Sequence, residues 1–90
     1  MEHSVQAPQK QISDQDYQAS VIVANDDSFP MEAVLNAFCK VLPGMDPDRA
    51  HRLMMEIHSH GLAEVWSGPR EVCELYCEQL SGLGLKARVI

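Results

Sequence analysis

The sequence predicts a single small α+β domain in which helices pack on a three-stranded antiparallel sheet, in the order β-α-α-β-α-β. Ninety residues allow one hydrophobic core and little more. Apolar residues form 46% of the chain and charged residues 22%, which is typical of a globular protein and too apolar for a disordered one. Segments with strand character alternate with segments of helical apolar spacing, and this order favours helices packed on one face of a small sheet.

The amino-terminal segment, residues 1–17, is predicted to be a flexible tail that precedes the domain. It contains Gln, Ser, Pro and charged residues with only scattered apolar ones, so it can bury too little surface to fold. It also lacks the charged-then-apolar pattern of a secretion signal, and its acidic residues argue against an organelle transit peptide. The folded domain is therefore expected at residues 18–90.

The first strand and the first helix are predicted on either side of a polar turn. Residues 20–24 (SVIVA) are apolar and mostly β-branched, and the polar residues 25–28 follow at once, as is typical where a core strand enters a turn. From about residue 30 to residue 42, apolar residues recur at helical spacing. Pro30 suits the first helical position, because its missing N–H would be unpaired there.

The second helix has local signals at both of its ends. Pro43 and Gly44 break the first helix, and Asp46 followed by Pro47 supplies an N-cap and a first turn with preset geometry. Apolar residues then continue on one face until Gly61, which is a suitable C-terminal cap. We expect a helix between these two signals.

The remaining chain predicts a strand, a helix and a final strand. Residues 62–66 have strand character, and a Gly-Pro pair then opens a third amphipathic helix that Gly82 and Gly84 end. In residues 85–90, apolar and basic side chains alternate for most of the run, which indicates a strand with one face on a core and the other in water.

The charge of the chain excludes several classes of function. Seven basic and thirteen acidic residues give a net charge of −6, which repels phosphate backbones and anionic lipid headgroups. No apolar run approaches the length of about 20 residues that spans a bilayer. Nucleic acid and membrane surfaces are therefore not expected as partners.

The three cysteines indicate a reducing compartment, because their number is odd and no C-x-x-C motif is present. The cytoplasm is the simplest location. Cys73 and Cys77 are four residues apart on the predicted third helix, but nothing nearby completes the three or four ligands that a metal needs. We expect no metal or other cofactor.

Acceptor oxygens are concentrated at the end of the first strand. Asn25, Asp26 and Asp27 lie directly between a predicted strand and a helix start. His58 follows Met54 by one helical turn, so these two side chains share a face of the second helix, which could pack beside the turn.

Two interpretations of this cluster remain open on spacing alone. An ammonium group has three N–H donors and no acceptor, so Asn25, Asp27 and a neutral His58 would satisfy it fully if they converged. Alternatively, Asp26 or Asp27 caps the helix, and His58 is a core histidine with a satisfied hydrogen bond.

Two motifs in this region resemble those of the ClpS family of Clp protease adaptors. Residues 25–34 (NDDSFPMEAV) are similar to the family pattern N-D-D-x-T-P-M-E-x-V, and residues 53–61 (LMMEIHSHG) to L-M-x-x-V-H-x-x-G. The similarity covers residues 20 to 90 approximately. It implies a non-enzymatic adaptor that binds destabilising N-terminal residues (N-degrons) such as Leu, Phe, Tyr or Trp. It also implies delivery of these substrates to a ClpA- or ClpC-type AAA+ unfoldase working with ClpP, with the tail reaching toward the unfoldase.

The resemblance also implies the residues of the site. The α-amine acceptors fall on Asn25, Asp27 and His58, with Asp26 beside them to contact the substrate backbone. The family's apolar pocket falls on Val23, Phe29, Met31, Val34, Met54 and Leu85. Burying a leucine side chain there would contribute about 1.5 to 3 kcal/mol. Glu71 and Tyr76 fall at or near the family's positions for docking on the unfoldase.

The sequence departs from the family pattern at three places. Phe29 replaces the usual Thr, at an expected N-cap position where it offers no acceptor. Either its ring projects into the pocket and favours Leu ends over larger aromatic ones, or Ser28 caps the helix and the ring lies on the surface. Tyr76 lies where the family has a lysine, and the segment before Leu85 is shorter than in familiar members.

Two other functions are compatible with this fold and site. One is a protein–protein interaction domain of the same fold that binds no N-terminal amine. The other is a small acid-base enzyme that uses Asp27 and His58, although no nucleophile motif or phosphate loop accompanies them.

Overall fold

The computed structural model describes residues 18–90 and has the predicted order of elements. The elements are strand β1 (Gln18–Ala24), helix α1 (Met31–Val41), helix α2 (Pro47–His60), strand β2 (Leu62–Pro69), helix α3 (Arg70–Gly82) and strand β3 (Lys86–Val89). The three strands form one antiparallel sheet, so the predicted α+β class is confirmed. The prediction of a tail at residues 1–17 lies outside the described residues.

Strand β1 is the centre of the sheet, in the order β2-β1-β3. Val23 pairs with Ala63 on one side and with Ala87 on the other. The register between β1 and β2 shifts after Val21, which leaves Val65 as the extra residue of a β-bulge. Because of the bulge, Val65 and the next residue, Trp66, both pack with the core.

The core lies between one face of this sheet and the three helices. Alternate residues of β1 point into it, as the period of a strand requires, and Phe38 and Leu80 are its largest fully buried side chains. Removing an apolar side chain of this size from water contributes about 1.5 to 3 kcal/mol. This packing fixes α1 and α2 beside the carboxyl end of β1.

The ends of α2 have the structure that the sequence predicts. The Asp46 carboxylate accepts a hydrogen bond of 2.8 Å from the backbone N–H of Arg49, and Pro47 is the first helical residue. Gly61 closes the helix in the left-handed conformation, with φ of 92°.

The start of α1 differs from the prediction. Pro30 is the N-cap residue, in an extended conformation, and the helix begins at Met31. Phe29 is therefore not the N-cap. Ser28 does not cap the helix either, because α1 has no side-chain capping bond, and the hydroxyl and N–H of Ser28 donate to Asp26 within the turn. No helix of the described residues is long and apolar enough to cross a membrane.

Candidate functional site

A cleft lies where β1 ends, between α1, α2 and the start of β3. Its volume is small, about 40 Å³. It is lined by Val23, Ala24, Asn25, Asp26, Phe29, Met31, Val34, Met54, Ile57, His58, Leu85 and Lys86. All the substrate-binding residues predicted from the sequence except Asp27 therefore contribute to one surface.

The end of α2 is joined directly to the end of β1. The backbone N–H of Asn25 donates a hydrogen bond of 2.9 Å to the carbonyl oxygen of Gly61, the residue that closes α2. His58 lies in the last turn of α2, so this bond fixes its position beside Asn25. Met54, one turn earlier, is buried and forms part of the cleft wall, whereas His58 is exposed at the cleft.

Asn25 lines the cleft, and a hydrogen bond to Asp27 holds its side chain. Its Nδ2 donates a hydrogen bond of 3.0 Å to Oδ1 of Asp27, which leaves Oδ1 of Asn25 as the acceptor of that side chain. Asp27 itself is exposed and does not line the cleft. Because its carboxylate is hydrogen-bonded to Asn25, Asp27 lies beside the cleft and orients the Asn25 amide.

Asp26 shapes the turn that follows β1. Its carboxylate accepts hydrogen bonds from the hydroxyl of Ser28 at 2.6 Å and from the Ser28 N–H at 3.1 Å, and its carbonyl oxygen accepts from the N–H of Phe29 at 3.0 Å. The Ser28 hydroxyl, followed by the Ser28 N–H and the charge of Lys86, holds the pKa of Asp26 below its ordinary value of 3.8. Asp26 is therefore a carboxylate at neutral pH.

The apolar floor of the cleft depends on how α3 ends. The N–H of Leu85 donates to the carbonyl oxygen of Leu80, and the N–H of Gly84 donates to that of Ser81. These two bonds form a Schellman motif with Gly84 in the left-handed position, at φ of 107°. Leu80 and Leu85 are both buried, as this motif favours, and Leu85 is thereby placed against the cleft.

Phe29 is half-buried and its ring lines the cleft. Of the two alternatives drawn from the sequence, the structure therefore has the ring at the pocket and not isolated on the surface. A Cβ atom added to Gly84 would lie 2.6 Å from Cε1 of Phe29, so the ring edge rests directly on the bare Cα of this glycine.

Three lining residues were missed from the sequence: Ala24, Ile57 and Lys86. Ala24 and Lys86 are paired across β1 and β3, and each is a chain neighbour of a predicted site residue. Ile57 follows Met54 by three residues on α2, so helical spacing was a usable signal. Lys86 brings a cation to a cleft whose other charged lining residue is Asp26.

The two residues predicted to dock on the unfoldase lie on α3 and do not line the cleft. Glu71 is exposed in the first turn of this helix. Tyr76 is half-buried, with its ring edge-on to Trp66 at a centroid distance of 4.9 Å. The structure therefore separates these residues from the acceptor cluster.

Cys73 is fully buried, and its thiol donates to the carbonyl oxygen of Gly68 at 3.6 Å. Burial raises the pKa of this thiol, which keeps it protonated and unsuited to metal binding. Among residues 18–90, no group of three His, Cys, Asp or Glu side chains is arranged to hold a metal ion.

The family described as "ATP-dependent Clp protease adaptor protein ClpS" matches residues 14–88 of this chain. The ATP-dependent Clp protease adapter protein ClpS of Synechocystis sp. is 48% identical over 65 residues, which are 72% of this chain and 66% of that protein. The chloroplastic adapter CLPS1 of Arabidopsis thaliana is 41% identical over 69 residues, which are 77% of this chain and 43% of that protein. The match thus spans slightly less than two thirds of the Synechocystis protein.

A solved structure, that of Agrobacterium tumefaciens ClpS2 bound to L-phenylalaninamide, has the same fold. The TM-score is 0.79 at 27% sequence identity, over 83% of this chain and 96% of that one. The order of elements and the family match over residues 14–88 agree with this likeness. The chain therefore belongs to the ClpS family of ATP-dependent Clp protease adaptor proteins, which are not enzymes.

Proposed function

We propose that this protein binds the free α-amino group and the apolar first side chain of other polypeptides in the cleft at the end of β1. It then delivers them, as N-degron substrates, to a ClpA- or ClpC-type AAA+ unfoldase for degradation by ClpP in the cytoplasm. The observation that carries the proposal is the position of Asn25 and His58 at the rim of a cleft whose floor is apolar.

The rim supplies acceptors for an ammonium group. Oδ1 of Asn25 and a neutral nitrogen of His58 each accept one N–H, and the carboxylate of Asp27 accepts the third or holds Asn25 in place. Asp26, an adjacent carboxylate, adds negative charge and contacts the first peptide unit of the substrate. An amine that enters this rim exchanges water for charge-assisted hydrogen bonds.

The floor supplies a pocket for the first side chain. It consists of Val23, Phe29, Met31, Val34, Met54 and Leu85. The related Agrobacterium protein is bound to L-phenylalaninamide, which has a free amine and an aromatic side chain. In this chain Phe29 lines the pocket. We propose that its ring takes up part of the space and that Leu ends therefore bind more tightly than the larger Tyr and Trp ends.

Fluorescence anisotropy of one peptide series tests the proposal. The peptides begin with Leu, Phe, Tyr, Trp, Val or acetyl-Leu and are otherwise identical, and each is titrated with the wild-type protein and with His58→Ala. Leu is expected to bind most tightly. Acetyl-Leu is expected not to bind, because acetylation removes the charge and two donors and leaves the acceptors of the rim unpaired.

The His58→Ala variant is the second arm of this experiment. It removes one acceptor from an exposed position, so it is expected to weaken Leu binding without unfolding the domain. If acetyl-Leu binds as well as Leu, or if no free end binds, amine recognition is excluded. The alternative of an interaction domain with the same fold would then be favoured.

A further inference from the structure

The Phe29 ring stands between two cavities. On one side is the cleft, whose volume is about 40 Å³. On the other side is a groove of about 250 Å³ along α1, lined by Phe29, Ala33, Asn36, Ala37, Lys40 and Leu83. Phe29 is the one residue that the two linings share. The larger space is therefore next to the cleft but on the far side of the ring.

The neighbours of the ring follow the same division. Along the chain, Leu83 lines the groove, Gly84 touches the ring and Leu85 lines the cleft. On α1, Ala33 faces the groove whereas Val34 faces the cleft. The ring and Gly84 thus form a boundary that runs from the start of α1 to the turn after α3.

Gly84 is what allows the ring to close this boundary. A side chain at Gly84 would collide with the ring, since a Cβ there would lie 2.6 Å from Cε1 and 3.4 Å from Cζ of Phe29. The positive φ of Gly84 also disfavours any residue with a side chain. The ring can therefore pack in this place only because residue 84 is a glycine.

We propose that Phe29, packed against Gly84, is a partition that sets the depth of the pocket for the first side chain. The groove behind it is open to solvent and is an extension of this pocket that the ring separates from the cleft. The inference rests on the proposed function and deepens it. With the partition in place, the pocket accepts a side chain of about the size of leucine. Without it, a long aromatic first side chain passes over Leu85 into the space between Ala33 and Leu83.

The test compares the wild-type protein with Phe29→Thr and with the double variant Phe29→Thr/Ala33→Leu. Peptides begin with Leu, with Trp or with 4-phenylphenylalanine, and circular dichroism checks that each variant is folded. Phe29→Thr is expected to raise the affinity for the two large ends, relative to Leu, by about tenfold or more. The added leucine at position 33 fills the groove from α1 and is expected to reverse that gain.

Leu83→Ala is the matched control, because it widens the groove while leaving the partition in place. It is expected to leave the relative affinities of the three ends unchanged. The proposal is overturned if Phe29→Thr gives no gain for large ends, if the double variant keeps the gain, or if Leu83→Ala alone produces it.

A second measurement does not depend on amine recognition. Indole, an aromatic probe without an α-amine, is titrated while the methyl groups of Ala33 and Val34 are followed by NMR. In Phe29→Thr a single binding event is expected to shift both methyl groups with one Kd, because the two spaces have become one. In the wild-type protein no such common event is expected. Independent titration of the two methyl groups in Phe29→Thr would refute the partition, even if no peptide end binds. If no peptide end binds to any of the proteins but the two methyl groups titrate together, the proposed function is refuted and the partition is not.

Discussion

His58 is the candidate acceptor that the last turn of α2 holds at the cleft. A neutral imidazole offers one acceptor nitrogen, whereas a cation in its place offers none and repels an ammonium group. Two neighbouring residues keep one charge state at neutral pH. Asn25 does not ionise, and Asp26 remains a carboxylate because its pKa lies below the ordinary 3.8.

We therefore expect His58→Lys, which replaces the acceptor by a cation, to lower the affinity for a Leu end by about tenfold or more, as one hydrogen bond to a charged group is replaced by repulsion. Anisotropy titrations measure this loss. His58→Gln is the matched control, because its amide oxygen accepts a hydrogen bond and carries no charge. It is expected to keep most of the affinity, and a His58→Lys variant that binds a Leu end as tightly as the wild-type protein would remove His58 from the acceptor role.

Local sequence patterns identified some residues of the site and missed the contact between Phe29 and Gly84. Asn25, Asp26 and His58 were found because short motifs carry them, and the structure brings all three to the cleft. Phe29 and Gly84 are far apart in the sequence, so no local pattern encodes the contact between them. The acceptor role of Asp27 stays a prediction, since this residue is adjacent to the cleft through Asn25 and does not line it.

At the scale of elements, α2 is the helix that carries the site, and its ends are defined by local chemistry. Asp46, Pro47 and Gly61 gave a correct prediction because an N-cap, a proline in the first turn and a left-handed glycine act within one turn of the chain. The start of α1 was predicted one residue too early. Pro30 is compatible with either position, and the hydrogen bonds between Asp26 and Ser28 belong to the turn that precedes the helix.

The cap of α2 is expected to affect stability without affecting recognition. Asp46→Ala removes the acceptor of the Arg49 N–H and is expected to lower the free energy of unfolding by about 0.5 to 2 kcal/mol. Asp48→Ala is the control, because Asp48 also lies in the first turn but is not the capping residue. It is expected to lower the free energy of unfolding by less than Asp46→Ala does. Denaturant unfolding measures both.

Under native conditions the affinity of Asp46→Ala for a Leu end should equal that of the wild-type protein, because Met54 and His58 lie toward the other end of α2. A loss of affinity in the folded variant would mean that the first turn of α2 influences the cleft. The measurement therefore separates the stability of the helix from the geometry of the site.

At the scale of the whole molecule, the proposed function needs one surface for the cargo and another for the unfoldase. The cleft uses the end of β1, the start of α1, the last turns of α2 and the start of β3. Glu71 lies on α3, outside the cleft lining, and exposes its carboxylate. Tyr76 gives part of its surface to Trp66, so Glu71 is the more accessible of the two proposed docking residues.

We expect Glu71→Lys to separate these two activities. Charge reversal at an exposed position leaves the fold intact and leaves the affinity for a Leu end unchanged, because the residue is outside the cleft. It is expected to weaken binding to a purified ClpA- or ClpC-type unfoldase by about tenfold, which is typical of losing a charge contact at an interface. Asp48→Lys, an equal charge reversal on α2, is the control and should retain unfoldase binding. If Glu71→Lys binds the unfoldase as the wild-type protein does, the docking surface does not include Glu71. If the variant loses affinity for the peptide as well as for the unfoldase, the two binding activities are coupled through α3.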